Sequence, residues 1–110
     1  MTHTEQQEHF DAFVVLMRET MLRKSSDYAN EDRLSNFKGV AAIVGITPEQ
    51  VALTLVSIKT ARLGNLLGKS GSPLNESVAD SILDLANYAV LMHMLLIDEQ
   101  KQEKVWTAVG

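Results

Sequence analysis

From Ile82 to Ile97 the chain reads ILDLANYAVLMHMLLI, apolar on nearly every side and without a proline or glycine. A stretch this long is a helix rather than a strand. A helix that is apolar all round has to be covered all round. With 110 residues in the whole chain, few other helices exist to cover it. The run therefore predicts a small all-α bundle completed by oligomerisation, a homodimer being the simplest closed arrangement.

The remaining sequence supplies the rest of that bundle and nothing that reads as a strand. Thr4 followed by Gln7 resembles a capping box, and Phe10, Phe13, Val14, Met17 and Met21 then recur at helical spacing. These predict a first helix over about 5–24. The polar turn-like SSDYANED ends it. RLSNFKGVAAIVG predicts a short, less regular helix stopped by Gly45. Thr47, Pro48 and Gln50 form a strong start signal for a third helix from Pro48 to about Leu67. GKSGSP is a loop, and Asn75 or Ser77 can cap the last helix, which should reach about Gln100. The tail KQEKVWTAVG shows no clear period, although Trp106 suggests docking. The expected architecture is one helical domain over 1–110, with three long helices, one short irregular helix and a core over about 5–100.

Composition narrows the function classes. A formal net charge of −4 argues against a nucleic-acid grip, which needs a basic footprint. Cysteine is absent, which excludes disulfides and thiolate metal sites. MTHTEQQEHF lacks the basic and apolar regions of a secretion signal. The long apolar run is interrupted by Asn87, Tyr88 and His93, and reads as too short before its first charge to span a membrane. A cytoplasmic protein without nucleic-acid or membrane partners is the expectation.

Two features mislead. GNLLGKS, 64–70, resembles a phosphate-binding P-loop, but three residues rather than four separate Gly64 from Gly68, and the segment ends a helix instead of joining a strand to one. His3 and His9 fall on different helix faces, and His93 reads as a core histidine within its apolar run rather than a metal ligand.

Charges inside apolar faces carry more information. At about 100° per residue, Val78, Ile82, Leu85, Ala89, Met92 and Leu96 form one seam of the last helix. Asp80, Asp84, Asn87 and Leu91 form a second stripe roughly opposite. On the third helix, Lys59 and Arg62 fall within the arc of Val51, Leu55, Ile58 and Leu66. Carboxylates and cations on buried faces need partners. Either the four simply pair, a weak source of stability because desolvation offsets attraction, or they line a pocket. In that pocket Asp80 and Asp84 would hold a divalent cation, and Lys59 and Arg62 a phosphate.

The irregular segment KSSDYANEDRLSNFKG, 24–39, forms a third cluster. Tyr28 and Phe37 could stack on a base, with Lys24 or Lys38 meeting a phosphate. Alternatively the two aromatics anchor the loop to the core and the charges are solvated.

Taken in order, KSSDYANEDRLSNFKGVAAIVGITPE, SIKTARLGNLL and NESVADSILDLANYAVL resemble the helical "nucleotide modification associated" family of bacteriophages and bacteria. The shared pattern is K-x-x-D-Y, then N-F, then K-x-x-R-L, then D-x-x-x-D-L-x-x-Y, over about residues 10–95. That group is in turn similar to the MazG-like all-α nucleoside triphosphate pyrophosphatases, which release pyrophosphate using Mg²⁺ held by acidic residues on two helices. The resemblance implicates Lys24, Asp27, Tyr28, Asn36, Phe37, Lys59, Arg62 and Tyr88 in ligand binding, and Asp80 and Asp84 in holding Mg²⁺. The chain departs from MazG-like enzymes in lacking their E-E-x-x-E helix. VALTLVSIKTARL stands in its place, and no general base can be named.

Three functions follow as expectations. The first is a phage-encoded nucleotide-binding protein, acting in modified-nucleotide metabolism or sequestration and forming a homo-oligomer. The second is a Mg²⁺-dependent nucleotide pyrophosphatase. The third is a non-catalytic interaction protein whose buried charges fix an oligomer's register.

Overall fold

Two local signals make the corner at the centre of the chain. Gly45 adopts a left-handed conformation, φ 82°, and its N–H donates to the Ala41 carbonyl at 2.8 Å. A side chain there would be strained, which is why glycine ends this helix. Two residues on, the Thr47 hydroxyl accepts from the Gln50 N–H at 3.2 Å while the Thr47 N–H donates to Gln50 Oε1 at 2.9 Å. This is the expected capping box, with Pro48 at the first helical position. In the computed structural model these signals separate α2, Ser35–Val44, from α3, Pro48–Leu67, at an angle of 96°. The structure describes residues 1–25, 32, 34–68 and 76–109, with side chains at 1–24, 32, 34–68 and 77–101.

The first helix, α1, spans His3–Ser25. Its cap is Thr2 with Glu5, not Thr4 with Gln7. The Glu5 N–H donates to Thr2 Oγ1 at 3.2 Å, and the Thr2 N–H donates to Glu5 Oε2 at 3.4 Å. A carboxylate is a better acceptor than an amide and suits the positive end of the helix dipole, so the earlier start is favoured. The last helix, α4, spans Glu76–Val109 and continues through the tail expected to be aperiodic. The side chain of Trp106 lies outside the described residues. The described residues contain four helices and no strand.

Contacts divide the chain into two compact units, Met1–Arg33 and Leu34–Gly110. The first holds α1. The second holds a core of Phe37 and Ala41 from α2, Val51 and Ala52 from α3, and Leu95 from α4, with Leu55, Leu91 and Met92 packed against it. Ala41 and Ala52 are small enough to let the helices approach closely, since side chains at a crossing set the interaxial distance.

α4 meets this core with an unexpected side. Of the all-apolar seam, Val78 is buried and Met92 packs on the core, but Ile82, Ala89 and Leu96 are exposed. The stripe carrying Asp84, Asn87 and Leu91 turns inward instead. His93, expected in the core, is exposed. Ser77–Lys101 is, contrary to the reading of its sequence, long and apolar enough by length and composition to cross a membrane. Its inward stripe is committed to α3 and the core.

Candidate functional site: the polar seam between α3 and α4

Lys59 Nζ lies 3.0 Å from Asp84 Oδ2, and Arg62 Nε donates to Ser81 Oγ at 3.2 Å. Advancing three residues along α3 retreats three along α4, so the two helices run antiparallel. The same register brings Tyr88 level with Leu55 and Leu91 level with Ala52 at the edge of the core. The charged pair thus continues the apolar contact line, one to two turns beyond it.

The pairing rule explains why α4 turned its polar stripe inward. Lys59 and Arg62 sit on the stripe of α3 that also carries Ala52 and Leu55, so packing that stripe carries two cations toward α4. Only the Asp84 side of α4 can answer them; the seam of Ile82, Ala89 and Leu96 cannot. Lys59 is half-buried there and gains a facing carboxylate, whereas partly exposed isoleucine and leucine are tolerable.

Asp80 does not share in this. Ser81 and Asp84 bracket the line facing α3, while Asp80 lies about 40° further round from Asp84 at about 100° per residue. It is exposed and makes no ion pair among the described residues. The expected match of two aspartates with two cations is therefore corrected: one aspartate pairs with Lys59, and a serine takes the place of the other. Ser81 is buried, and its hydroxyl donates back to the Ser77 carbonyl at 2.8 Å, which leaves its lone pairs for Arg62. Sequence reasoning missed this residue. The available signal was a small hydroxyl between two aspartates on the inward line.

The other candidates are dispersed. Tyr88 is half-buried one turn beyond Asp84. Phe37 is a core residue, the anchoring reading of the two its sequence allowed, while Asn36 beside it is exposed. Lys38 is paired with Asp98 at 2.8 Å. Asp98 is fourteen residues from Asp84, about 21 Å along the helix. Lys24 is exposed on α1. Asp27 and Tyr28 lie outside the described residues. A cavity of about 250 Å³ is lined by Lys38, Thr47, Glu49, Leu95, Asp98 and Glu99, roughly three to four turns along α4 from Asp84. Its three carboxylates disfavour a phosphate there.

Asn87 completes the seam's polar inventory. It is 7% exposed, and its Oδ1 is buried without a hydrogen-bond partner. Such an acceptor forfeits its water and gains nothing in return. Among the described residues no group of three carboxylates or histidines could hold a metal ion, and Asp84 already faces an ammonium. The seam as built does not fit a divalent cation held by Asp80 and Asp84.

The Lys59–Asp84 side chains are 25% and 20% exposed, between the surface and buried regimes. A double-mutant cycle with Lys59→Ala and Asp84→Ala is expected to give a coupling of about 1 kcal/mol, read from urea denaturation. A coupling indistinguishable from zero would mean that solvent screens the pair.

Compared with protein-family profiles, curated protein sequences and solved structures, the chain matches none of them.

Proposed function

We propose that the α3–α4 seam binds a nucleotide or nucleotide-like phosphorylated molecule, and that the protein acts in modified-nucleotide metabolism or as a nucleotide-sequestering protein in the cytoplasm of a phage-infected host. The observation that carries this reading is the posture of Arg62. Its only hydrogen bond among the described residues runs from Nε to Ser81, so the guanidinium is oriented while its two terminal nitrogens stay available. Arg62 is exposed. An oriented, accessible fork matches a phosphate bidentately. Lys59 is one turn away as a second cation, and Asp84 holds it in place. Tyr88 supplies an aromatic ring for a base or sugar, and the protein self-associates. The order of motifs that resembles the nucleotide modification associated family supports the same ligand class.

Hydrolysis has less support. A Mg²⁺ ion on Asp84 would have to displace Lys59, and no residue stands out as a base. The structural reading has one observation in its favour, the satisfied Lys59–Asp84 pair.

Thermal denaturation with nucleoside mono-, di- and triphosphates and cyclic nucleotides, with and without Mg²⁺, separates these. A ligand at about 100 times its Kd should stabilise the fold by roughly 2.7 kcal/mol. The shift should vanish in Arg62→Ala and survive weakened in Arg62→Lys, which keeps the charge but not the fork. A flat screen with Arg62→Ala still folded would leave only the structural role. Pyrophosphate release with Mg²⁺, abolished in Asp84→Ala, would establish the enzyme.

A further inference from the structure

α1 carries a self-complementary face. Phe10, Val14, Val15 and Leu22 are exposed, Phe10 and Leu22 to 66% and 61%. At about 100° per residue, Asp11 and Arg18 lie on almost one line along the helix, with Phe10 and Val14 on one side and Val15 and Leu22 on the other. Thr20, the one buried side chain among those described on α1, points about 160° away from Arg18. The exposed face thus carries apolar side chains on both sides of one anion and one cation, with the exposed Glu8 and Glu19 bounding it beyond Val15.

Neither charge is answered within its own helix. The neighbours of Asp11 three and four residues away are Gln7, Glu8, Val14 and Val15; those of Arg18 are Val14, Val15, Met21 and Leu22. Asp11 and Arg18 are seven residues apart, about 10.5 Å along the axis, too far to pair with each other. No ion pair is found for either among the described residues. The helix dipole explains Glu5 near the start and Arg23 and Lys24 near the end. It does not explain Asp11 or Arg18, because the effect fades beyond the terminal turns.

We propose that α1 pairs antiparallel with α1 of a second copy of this chain, about a two-fold axis between Val14 and Val15. The spacing D-x-x-V-V-x-x-R is the pattern such an axis requires. Rotation places Asp11 against Arg18 of the second copy and Arg18 against its Asp11, with the valines packed around the axis. One patch then satisfies itself, as an isologous interface must. Charge complementarity selects this occupant. A membrane would gain nothing from an aspartate in the middle of the face, and an unrelated partner would not need the two charges balanced about a centre. The surface uses no residue of the α3–α4 seam, so its test is independent of nucleotide binding.

The test is sedimentation equilibrium at low salt on the full chain, on Asp11→Arg, on Arg18→Asp, and on an equimolar mixture of the two variants. The wild type should be dimeric. Each reversal places like charges opposite each other twice, and should weaken self-association by about tenfold or more. The mixture pairs a doubly cationic face with a doubly anionic one, and should recover the dimer as a heterodimer. Circular dichroism checks that both variants keep their helices. A monomeric wild type, a dimer indifferent to both reversals, or a mixture that fails to recover association would each overturn the pairing. Indifference would transfer self-association to another surface, such as the exposed Ile82, Ala89 and Leu96 of α4.

Discussion

Phe37→Ala should destabilise the second unit by about 3–5 kcal/mol, the largest single-residue effect expected in this chain. Phe37 is the bulkiest side chain of the core and joins α2 to Val51 and Ala52 of α3 and Leu95 of α4. Its removal leaves a cavity where three helices meet, and backbones held at a 96° corner have little room to collapse into it. Small domains have only about 5–15 kcal/mol in total, so much of the margin would go. Phe37→Leu should recover most of it, since shape loss is milder than cavity formation. Chemical denaturation at constant m-value measures both. A loss under about 1 kcal/mol for the alanine variant would contradict the core placement and reopen the stacking role its sequence neighbourhood allowed.

Asn87→Leu should move stability the other way, raising it by about 1–3 kcal/mol. The carboxamide is buried with its oxygen unpartnered, and leucine of similar length removes that penalty while adding apolar contact. A thermal melt should register several degrees, at about 4–8 °C per kcal/mol for a domain near this size. A destabilisation of comparable size would show that the oxygen has a partner, such as a buried water. The variant also bears on function. Sites often hold residues that are unfavourable for folding, so a more stable protein that has lost its nucleotide response would put Asn87 in the ligand's path.

Much of the fold was legible locally. Thr47, Pro48 and Gln50 announce the start of α3, and Gly45 announces the end of α2, because capping and left-handed turns depend on a few neighbouring residues. At the start of α1 two T-x-x-E/Q patterns compete two residues apart, and only the comparison of acceptor strength separates them. α4 runs nine residues beyond the end its periodicity indicates, since KQEKVWTAV has adequate helix formers but no apolar period.

The candidate site was legible in part for a similar reason. Lys59, Arg62 and Asp84 were conspicuous as charges on apolar arcs, and the structure brings them to one seam. Ser81 was invisible because a serine in a helix is unremarked until something donates to it. Asp80 was overvalued because spacing reports the angle between two residues, not which of them faces a neighbour.

By itself, the sequence determined that the chain is helical, where most helices begin and end, and that charges on apolar arcs of α3 and α4 would need partners. These follow from periodicity, caps and the penalty for burying a bare charge, all of which act within a turn or two. Only the tertiary structure decided which side of α4 turns inward. That choice compares two whole faces against α3, and the outcome is a polar stripe buried and an apolar seam left partly exposed. The inward side buries Val78, Leu83 and Leu95 and brings Asp84 to Lys59, while aliphatic side chains left at the surface are tolerable.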